Sequence, residues 1–560
     1  VARAWTIMIL EKSGTWIERN FSVVGLLVGS LFFAASLTPS LLPRGYAMQG
    51  ILSGCLFAAG YGIGVLGSVL WRFLELPQPS QRVWRNLVLI SAMVCAAVAF
   101  AFLWRASGWQ NSIRDLMHLE RVETARPYYV GMIALAVALV LIGLGRLFAF
   151  VFRLLTRWLD RFVPRRVAQV VGAAIAIWLF ALVIDGVIFR YALRAADSSF
   201  ARMDALIDDG MEQPTDPLKT GSSQSLIDWD SVGRRGSEFI ANGPDKQEIA
   251  TFLGRPALEP IRVYVGLRSA DTTKAQARLA LEELKRVGAF ERSALVIAIP
   301  TGTGWLDPAG MDTLDYLHGG DVASVAIQYS YLTSWLSLLV EPGYGAEAAQ
   351  ALFAEVYDHW TSLPEDERPK LYLYGLSLGA MNSQLSAELF DVIGDPFDGA
   401  LWAGPPFTSR LWNHITASRN EDSPFWLPRY RDGSLFRFAN QQTEVLDIPG
   451  AEWGPMRIVY LQYGSDPVVF FDPYAAYREP QWMRGERGPD VSDELRWYPI
   501  VTVLQLALDL AMATTSPIGY GHVYAPDHYI DAWMQVMQPD GWSAADIARL
   551  KEEFADFGQN

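Results

Sequence analysis

Leu371-Tyr372-Leu373-Tyr374-Gly375-Leu376-Ser377-Leu378-Gly379-Ala380-Met381-Asn382 decides how this chain folds. The first four residues form an apolar, aromatic run of strand character, and a helical stretch begins at Ala380. A serine between two glycines at a strand-to-helix junction has the pattern of a nucleophile elbow. There the serine occupies a strained turn, and a side chain at either flanking glycine would strike the neighbouring strand or helix. Ser377 is therefore the candidate nucleophile; otherwise it is a turn serine.

Working outward, short β-rich runs alternate with helical patterns. Ile261–Val265 is followed by a helix near 273–287, then Ala294–Ile299, Val322–Tyr331 and a helix near 343–361. Leu371–Tyr374, Ala400–Trp402 and Arg457–Tyr463 continue the series. Near-continuous apolar strands alternating with helices predict a mostly parallel sheet covered on both faces. Sites in such sheets form at the carboxyl ends of the strands, where Ser377 falls.

This pattern resembles the α/β-hydrolase superfamily over roughly residues 260–560. With the apolar N-terminal half it is similar to a bacterial family of membrane-anchored α/β-hydrolases. The resemblance implies the chain order serine, acid, histidine. The turn Gly464-Ser465-Asp466-Pro467 follows the strand Arg457–Tyr463, and it offers Asp466 as the acid, with Asp472 as competitor. The loop Gly519-Tyr520-Gly521-His522 offers His522; His528 competes from inside a helix expected to start at Pro526. His318, His359 and His414 all precede the acid. Oxyanion donors are expected from the Leu378 N–H and from the loop Pro300-Thr301-Gly302-Thr303-Gly304-Trp305, with Thr303 first and Gly302 second. That loop lacks the His-Gly-Gly pattern of many esterases, and the alternative is a plain glycine-rich turn.

The front of the chain differs in kind. Apolar runs at about 21–41, 48–71, 86–104, 128–151 and 167–189 each approach the ~20 residues that cross a bilayer as a helix. Lys/Arg number twelve in the segments before the first run and between runs two–three and four–five, against five in the other two loops. The N-terminus is thus expected inside, and five crossings put the remainder in the periplasm or outside the cell. The resemblance implies a bacterial inner (cell) membrane. Asp185, within the fifth run, either pairs with an arginine such as Arg190 or serves substrate or protons. The resulting division is a transmembrane helical domain at 1–195, a polar, turn-rich connector at 196–255 and an α/β-hydrolase domain at 256–560. An aromatic insertion at 405–456 is read as a cap.

Charge is split along the chain. Residues 1–200 hold 19 Lys/Arg against 9 Asp/Glu; the rest holds 27 against 51. The acidic remainder repels phosphates and excludes nucleic acid as its partner. Cys55 and Cys95, the only cysteines, lie in apolar runs. No metal or cofactor is expected: there is no His-x-x-x-His, no Gly-Lys-Ser/Thr after the glycine-rich loop and no dinucleotide fingerprint. The expected function is hydrolysis of a carboxylic ester through a Ser-His-Asp triad and an acyl-enzyme. Partners are the lipid bilayer and a lipid or lipid-linked ester, including aminoacyl-lipids whose cationic headgroups suit an acidic domain. The alternatives are acyl transfer by the same triad and a catalytically inactive hydrolase-fold scaffold. The sequence leaves the oligomeric state open.

Overall fold

The computed structural model describes residues 21–181, 204, 211–332, 343–387 and 392–558. The chain forms two compact units.

The first unit runs to Tyr191 and takes in two later segments, Asp472–Arg484 and Pro489–Met512. Helices α1 (Val23–Ser36), α2 (Tyr46–Phe73), α3 (Gln81–Leu116), α4 (Pro127–Leu159) and α5 (Arg165–Ala181) occupy the five apolar runs. By length and composition α2, α3 and α4 can cross a membrane. At 14 residues, α1 is shorter than the ~20 needed to span. The fifth run is described as far as Ala181, and Asp185 lies outside the described residues.

Small residues set the helix spacing. A Cβ on Gly64 would lie 2.7 Å from Gly25 Cα, and one on Gly60 would lie 3.0 Å from Gly29 Cα. Gly25/Gly29 on α1 and Gly60/Gly64 on α2 are thus two four-residue glycine repeats facing each other, which lets the backbones touch. Gly50 and Gly54 repeat the device on another face of α2, against Ile133, Ala134 and Val137 of α4. The later segments add the helix Val501–Ala511, whose Val501 packs with Leu52 and Leu56. Asp509 Oδ2 accepts the Leu41 N–H at 2.9 Å, and Gln505 donates to the Thr38 carbonyl at 3.0 Å. The composition boundary near 195 carries no sign of this return of the chain.

The second unit is built on seven parallel strands: β1 (Ile261–Val265), β2 (Ala294–Ile299), β3 (Val322–Ile327), β4 (Lys370–Leu376), β5 (Gly399–Ala403), β6 (Phe436–Ala439) and β7 (Arg457–Leu461). Their order is β1-β3-β2-β4-β5-β7-β6. The strands are almost wholly buried, as a doubly covered sheet requires. The helix Thr273–Arg286 starts on a Thr272 hydroxyl that accepts the Ala275 N–H. Residues 229–253, expected as connector, carry two helices.

One expectation changes. Within the insertion read as a cap, Phe436–Ala439 is an edge strand of the sheet, in parallel register with β7 from Phe436 opposite Ile458. Phe438 stacks on Tyr460 with centroids 4.9 Å apart. These aromatics belong to the sheet core.

Candidate active site

Ser377 lies between β4 and the helix Leu378–Ser383, with φ 57° and ψ −125°. A non-glycine residue holds such a conformation only where the surroundings enforce it. Here they do. The Ser377 N–H donates to the Ala403 carbonyl at 2.9 Å, tying the turn to the end of β5. A Cβ on Gly375 would sit 2.4 Å from Gly379 C, and one on Gly379 would sit 2.1 Å from the Ile299 carbonyl oxygen. Both flanking glycines are therefore obligatory, one for the turn and one for its approach to β2.

Asp466 follows β7 and is fully buried. Its Oδ1 accepts the Val468 N–H at 2.8 Å, capping a short helix, which fixes the carboxylate plane. Its Oδ2 takes two donors: His522 Nδ1 at 2.7 Å and the Tyr524 hydroxyl at 2.7 Å. The His522 loop is pinned in turn. The His522 N–H donates to the Ala513 carbonyl at 3.1 Å and the Gly521 N–H to Ser465 Oγ at 2.9 Å. With Nδ1 on the carboxylate, Nε2 carries the lone pair. That Nε2 is buried and has no hydrogen-bond partner among the described residues.

The imidazole lies beside the residue that follows β5, the strand whose last carbonyl accepts the Ser377 N–H. Gly404, in left-handed backbone at φ 50°, directly follows Ala403, and a Cβ there would come 2.7 Å from His522 Cε1 and 2.9 Å from the Tyr524 hydroxyl. Tyr524 is clamped by Tyr463, with ring centroids 4.4 Å apart.

The remaining sequence candidates fall in two places. The Leu378 N–H opens the helix after Ser377, where no intrahelical carbonyl can accept it. In the loop after β2, the Thr301 N–H donates to the Trp305 carbonyl and the Gly304 N–H to Thr301, both at 2.9 Å. The Thr303 carbonyl accepts from Gln328 at 3.2 Å, and the Gly304 carbonyl accepts from Tyr264 at 2.8 Å. Gly302 and Thr303 thus sit on a loop anchored to the ends of β1 and β3. The competitors lie elsewhere. His528 Nδ1 shares a 2.7 Å hydrogen bond with the Tyr463 hydroxyl, and burial holds its pKa down at about 4. Asp472 caps a turn through the Tyr474 N–H at 2.8 Å.

Two groups near His522 escaped sequence reading. One is Tyr524. The other is Asp307, which is buried and has its carboxyl pushed up to about 7 by burial. Hydrogen bonds from the Tyr529 hydroxyl (3.0 Å) and the Ala309 N–H (3.1 Å), and the charge of His522, act in the opposite direction. The dipeptide Asp307-Pro308 signals a helix start, which it is, but nothing local signals burial beside the histidine. Among the described residues no group of His, Cys, Asp and Glu could hold a metal ion.

A parallel sheet with a serine elbow after β4, an acid after β7 and a histidine loop beyond it sets the frame for comparison. The alpha/beta-hydrolase family matches residues 261–550, and the N-terminal region described for that family matches residues 37–244. The chain belongs to the alpha/beta-hydrolase family. No curated protein matches it. A solved structure from work on LipS and LipT, two metagenome-derived lipolytic enzymes, aligns with 31% of this chain and 86% of its own at 12% identity and a TM-score of 0.16, a likeness too slight to bear on this alpha/beta-hydrolase.

Proposed function

We propose that this alpha/beta-hydrolase is a membrane-anchored serine hydrolase that cleaves carboxylic esters with Ser377, His522 and Asp466 as its triad. The observation that carries the reading is the buried His522, its Nδ1 on Asp466 and its Nε2 unpartnered, beside the end of β5 to which the backbone of the strained Ser377 is hydrogen-bonded. A serine hydroxyl is a weak nucleophile until a base takes its proton. In this reading His522 Nε2 takes the Ser377 Oγ proton as Oγ bonds to the ester carbonyl carbon. Asp466 holds the imidazole tautomer and stabilises the imidazolium. The Leu378 N–H and a donor from the Gly302–Thr303 loop face the tetrahedral oxyanion, each such donor contributing about 3 kcal/mol. Collapse breaks the bond to the leaving alkoxide, which receives the proton from His522. Water, deprotonated by His522, then attacks the acyl-enzyme and restores Ser377.

The substrate class is a lipid or lipid-linked ester. Its support is the set of apolar helices α2–α4 and, for cationic headgroups such as aminoacyl-lipids, the acidic composition after residue 200. The topology proposed is a cytoplasmic N-terminus with the hydrolase unit extracytoplasmic, from the Lys/Arg distribution.

The test is labelling of the full chain in detergent by a fluorophosphonate, with turnover of p-nitrophenyl esters in parallel. Wild type is expected to label, and Ser377→Ala to lose labelling and at least about 10⁴-fold in kcat. Equal labelling of the two proteins, or none in folded wild type, rejects the assignment.

A further inference from the structure

The helical unit contains a cavity of about 260 Å³ at one end of the bundle, formed by the α1–α2 link, the end of α3 and the start of α4. Arg44, Arg114 and Arg126 line it with Gln49 and Gln110, and no carboxylate does. Arg44 and both glutamines are more than nine-tenths buried. Arg44 donates through Nη2 to the Thr38 carbonyl at 3.0 Å, while its Nε and Nη1 have no partner among the described residues. Gln110 Oε1 accepts the Arg44 N–H at 2.7 Å, which fixes the amide orientation and leaves Nε2 buried and unpartnered. Gln49 Nε2 donates to Ser36 O and Ser53 Oγ, so its Oε1 is the acceptor left over. Arg126, exposed at the rim, lies over the Tyr46 ring at 5.2 Å.

Buried donors without acceptors cost free energy, the more so on a cation. Asp509 is the acid that tempers Arg44 electrostatically, yet it is not within ion-pair distance: its Oδ2 accepts the Leu41 N–H and its Oδ1 is buried without a partner among the described residues. Three guanidinium groups with two orphaned N–H positions and an amide donor match the oxygens of a phosphate group. The Gln49 acceptor suits a protonated phosphate oxygen or a neighbouring hydroxyl. The volume is below the ~300–1,000 Å³ of pockets that enclose drug-sized ligands, so it suits a headgroup rather than a whole lipid. We infer that this cavity is a binding site for a phosphate-bearing anion, independent of the chemistry at Ser377. The anion is either a phospholipid headgroup, met where the apolar helices α2–α4 end, or free phosphate. Three of the five arginines on the less basic side of the bundle thereby gain a common role.

Calorimetric titration of the full chain in a phosphate-free maltoside detergent tests this, with inorganic phosphate and water-soluble dihexanoyl phosphatidic acid as the two probes. Saturable binding of at least one is expected, weakened about tenfold by the paired variant Arg114→Gln/Arg126→Gln and at least as much by Arg44→Gln. The paired variant changes only exposed and half-buried side chains, so it decides the matter even if Arg44→Gln misfolds. Phosphatidic acid binding at least tenfold tighter than phosphate assigns the site to lipid; equal affinities assign it to free phosphate. No saturable binding by the folded wild type, or binding indifferent to the paired variant, overturns the inference.

Discussion

Arg44 and Arg262, buried in different units, are treated in opposite ways. Arg262 on β1 is closed in by acids: Nη2 lies 2.7 Å from Asp312 and 2.6 Å from Asp315, Nε donates to Asp315 at 2.9 Å, and Nη1 reaches the Phe239 carbonyl at 2.9 Å. Arg44 in the helical unit is as deeply buried and meets one carbonyl and no ion pair. A cation with its donors satisfied is part of the architecture. A buried cation with donors left over is half of an interaction whose other half comes from outside. The same contrast holds within the hydrolase unit, where Asp466 has its oxygens filled and His522 Nε2 has no partner. Unmet polar capacity, rather than burial itself, separates a site from a scaffold.

The contrast is tested most strongly at Arg262. Arg262→Met leaves Asp312 and Asp315 buried without a cation, and the hydrolase unit should lose about 3–5 kcal/mol, read as a lowered unfolding midpoint by tryptophan fluorescence. Replacing all three residues by apolar ones of similar volume should restore most of it. If the single variant is neutral, Arg262 is not the architectural ion the comparison makes it.

Asp307 sharpens the contrast because it is partnered yet incompletely stabilised. Its folded-state pKa of about 7 stands above the ordinary 3.8. The folded protein therefore binds more protons than the unfolded chain between these values, so this carboxyl makes stability greatest below about pH 4 and lets it fall as pH rises through about 7. The span amounts to roughly 4 kcal/mol as an upper bound. Asp315, raised to about 6 by burial although the Arg262 charge acts in the opposite direction, adds a slope of the same sign. Asp307→Asn should flatten the fall between pH 4 and 7 and raise the unfolding temperature at pH 8. An unchanged pH–stability curve would remove Asp307 from the account.

In the helical unit the comparison concerns packing. Gly64→Val drives a side chain into the Gly25 backbone and should destabilise by about 1–3 kcal/mol. Gly62→Val, two residues away in sequence and so on another face of the helix, with nothing within 4 Å of its added Cβ, changes only helix propensity and should be neutral or stabilising by a few tenths of a kcal/mol. Melting of the two variants in one detergent checks the difference, and equal losses would remove the facing glycine repeats as the cause.

These contrasts also show what could be read before folding. The serine turn was legible because its requirement is local: two small residues flanking one serine between a strand and a helix. Strands β1, β2 and β3 were legible as apolar runs. Strand β6 was not, because Phe436-Arg437-Phe438-Ala439 places a charge in the middle of the run. In the fold that charge is buried over the Trp453 ring at 3.9 Å, with carbonyls of Gly433, Leu446 and Ala451 as acceptors, none of them predictable from neighbours in sequence. The facing glycine repeats are present in the sequence, but a four-residue spacing gains meaning only once its partner helix is known. Asp307 and Tyr524 escaped for the same reason: their neighbours are brought to them by the sheet.

The smallest expected effect separates a positioning residue from a structural one. Tyr524 donates to the same Asp466 oxygen that receives His522, so it draws charge away from the hydrogen bond that would support an imidazolium. Tyr524→Phe removes the donor and keeps the ring stacked on Tyr463. With the carboxylate less satisfied, His522 should hold a proton more tightly, and the acid limb of kcat/KM for a p-nitrophenyl ester should move to higher pH by about one pH unit at most. A packing role alone would lower stability and leave that limb where it was. A shift to lower pH would mean that the hydroxyl serves His522 by orientation rather than by sharing the charge of Asp466, whereas an unmoved limb would place Tyr524 with Arg262 among the groups that only hold the fold in place.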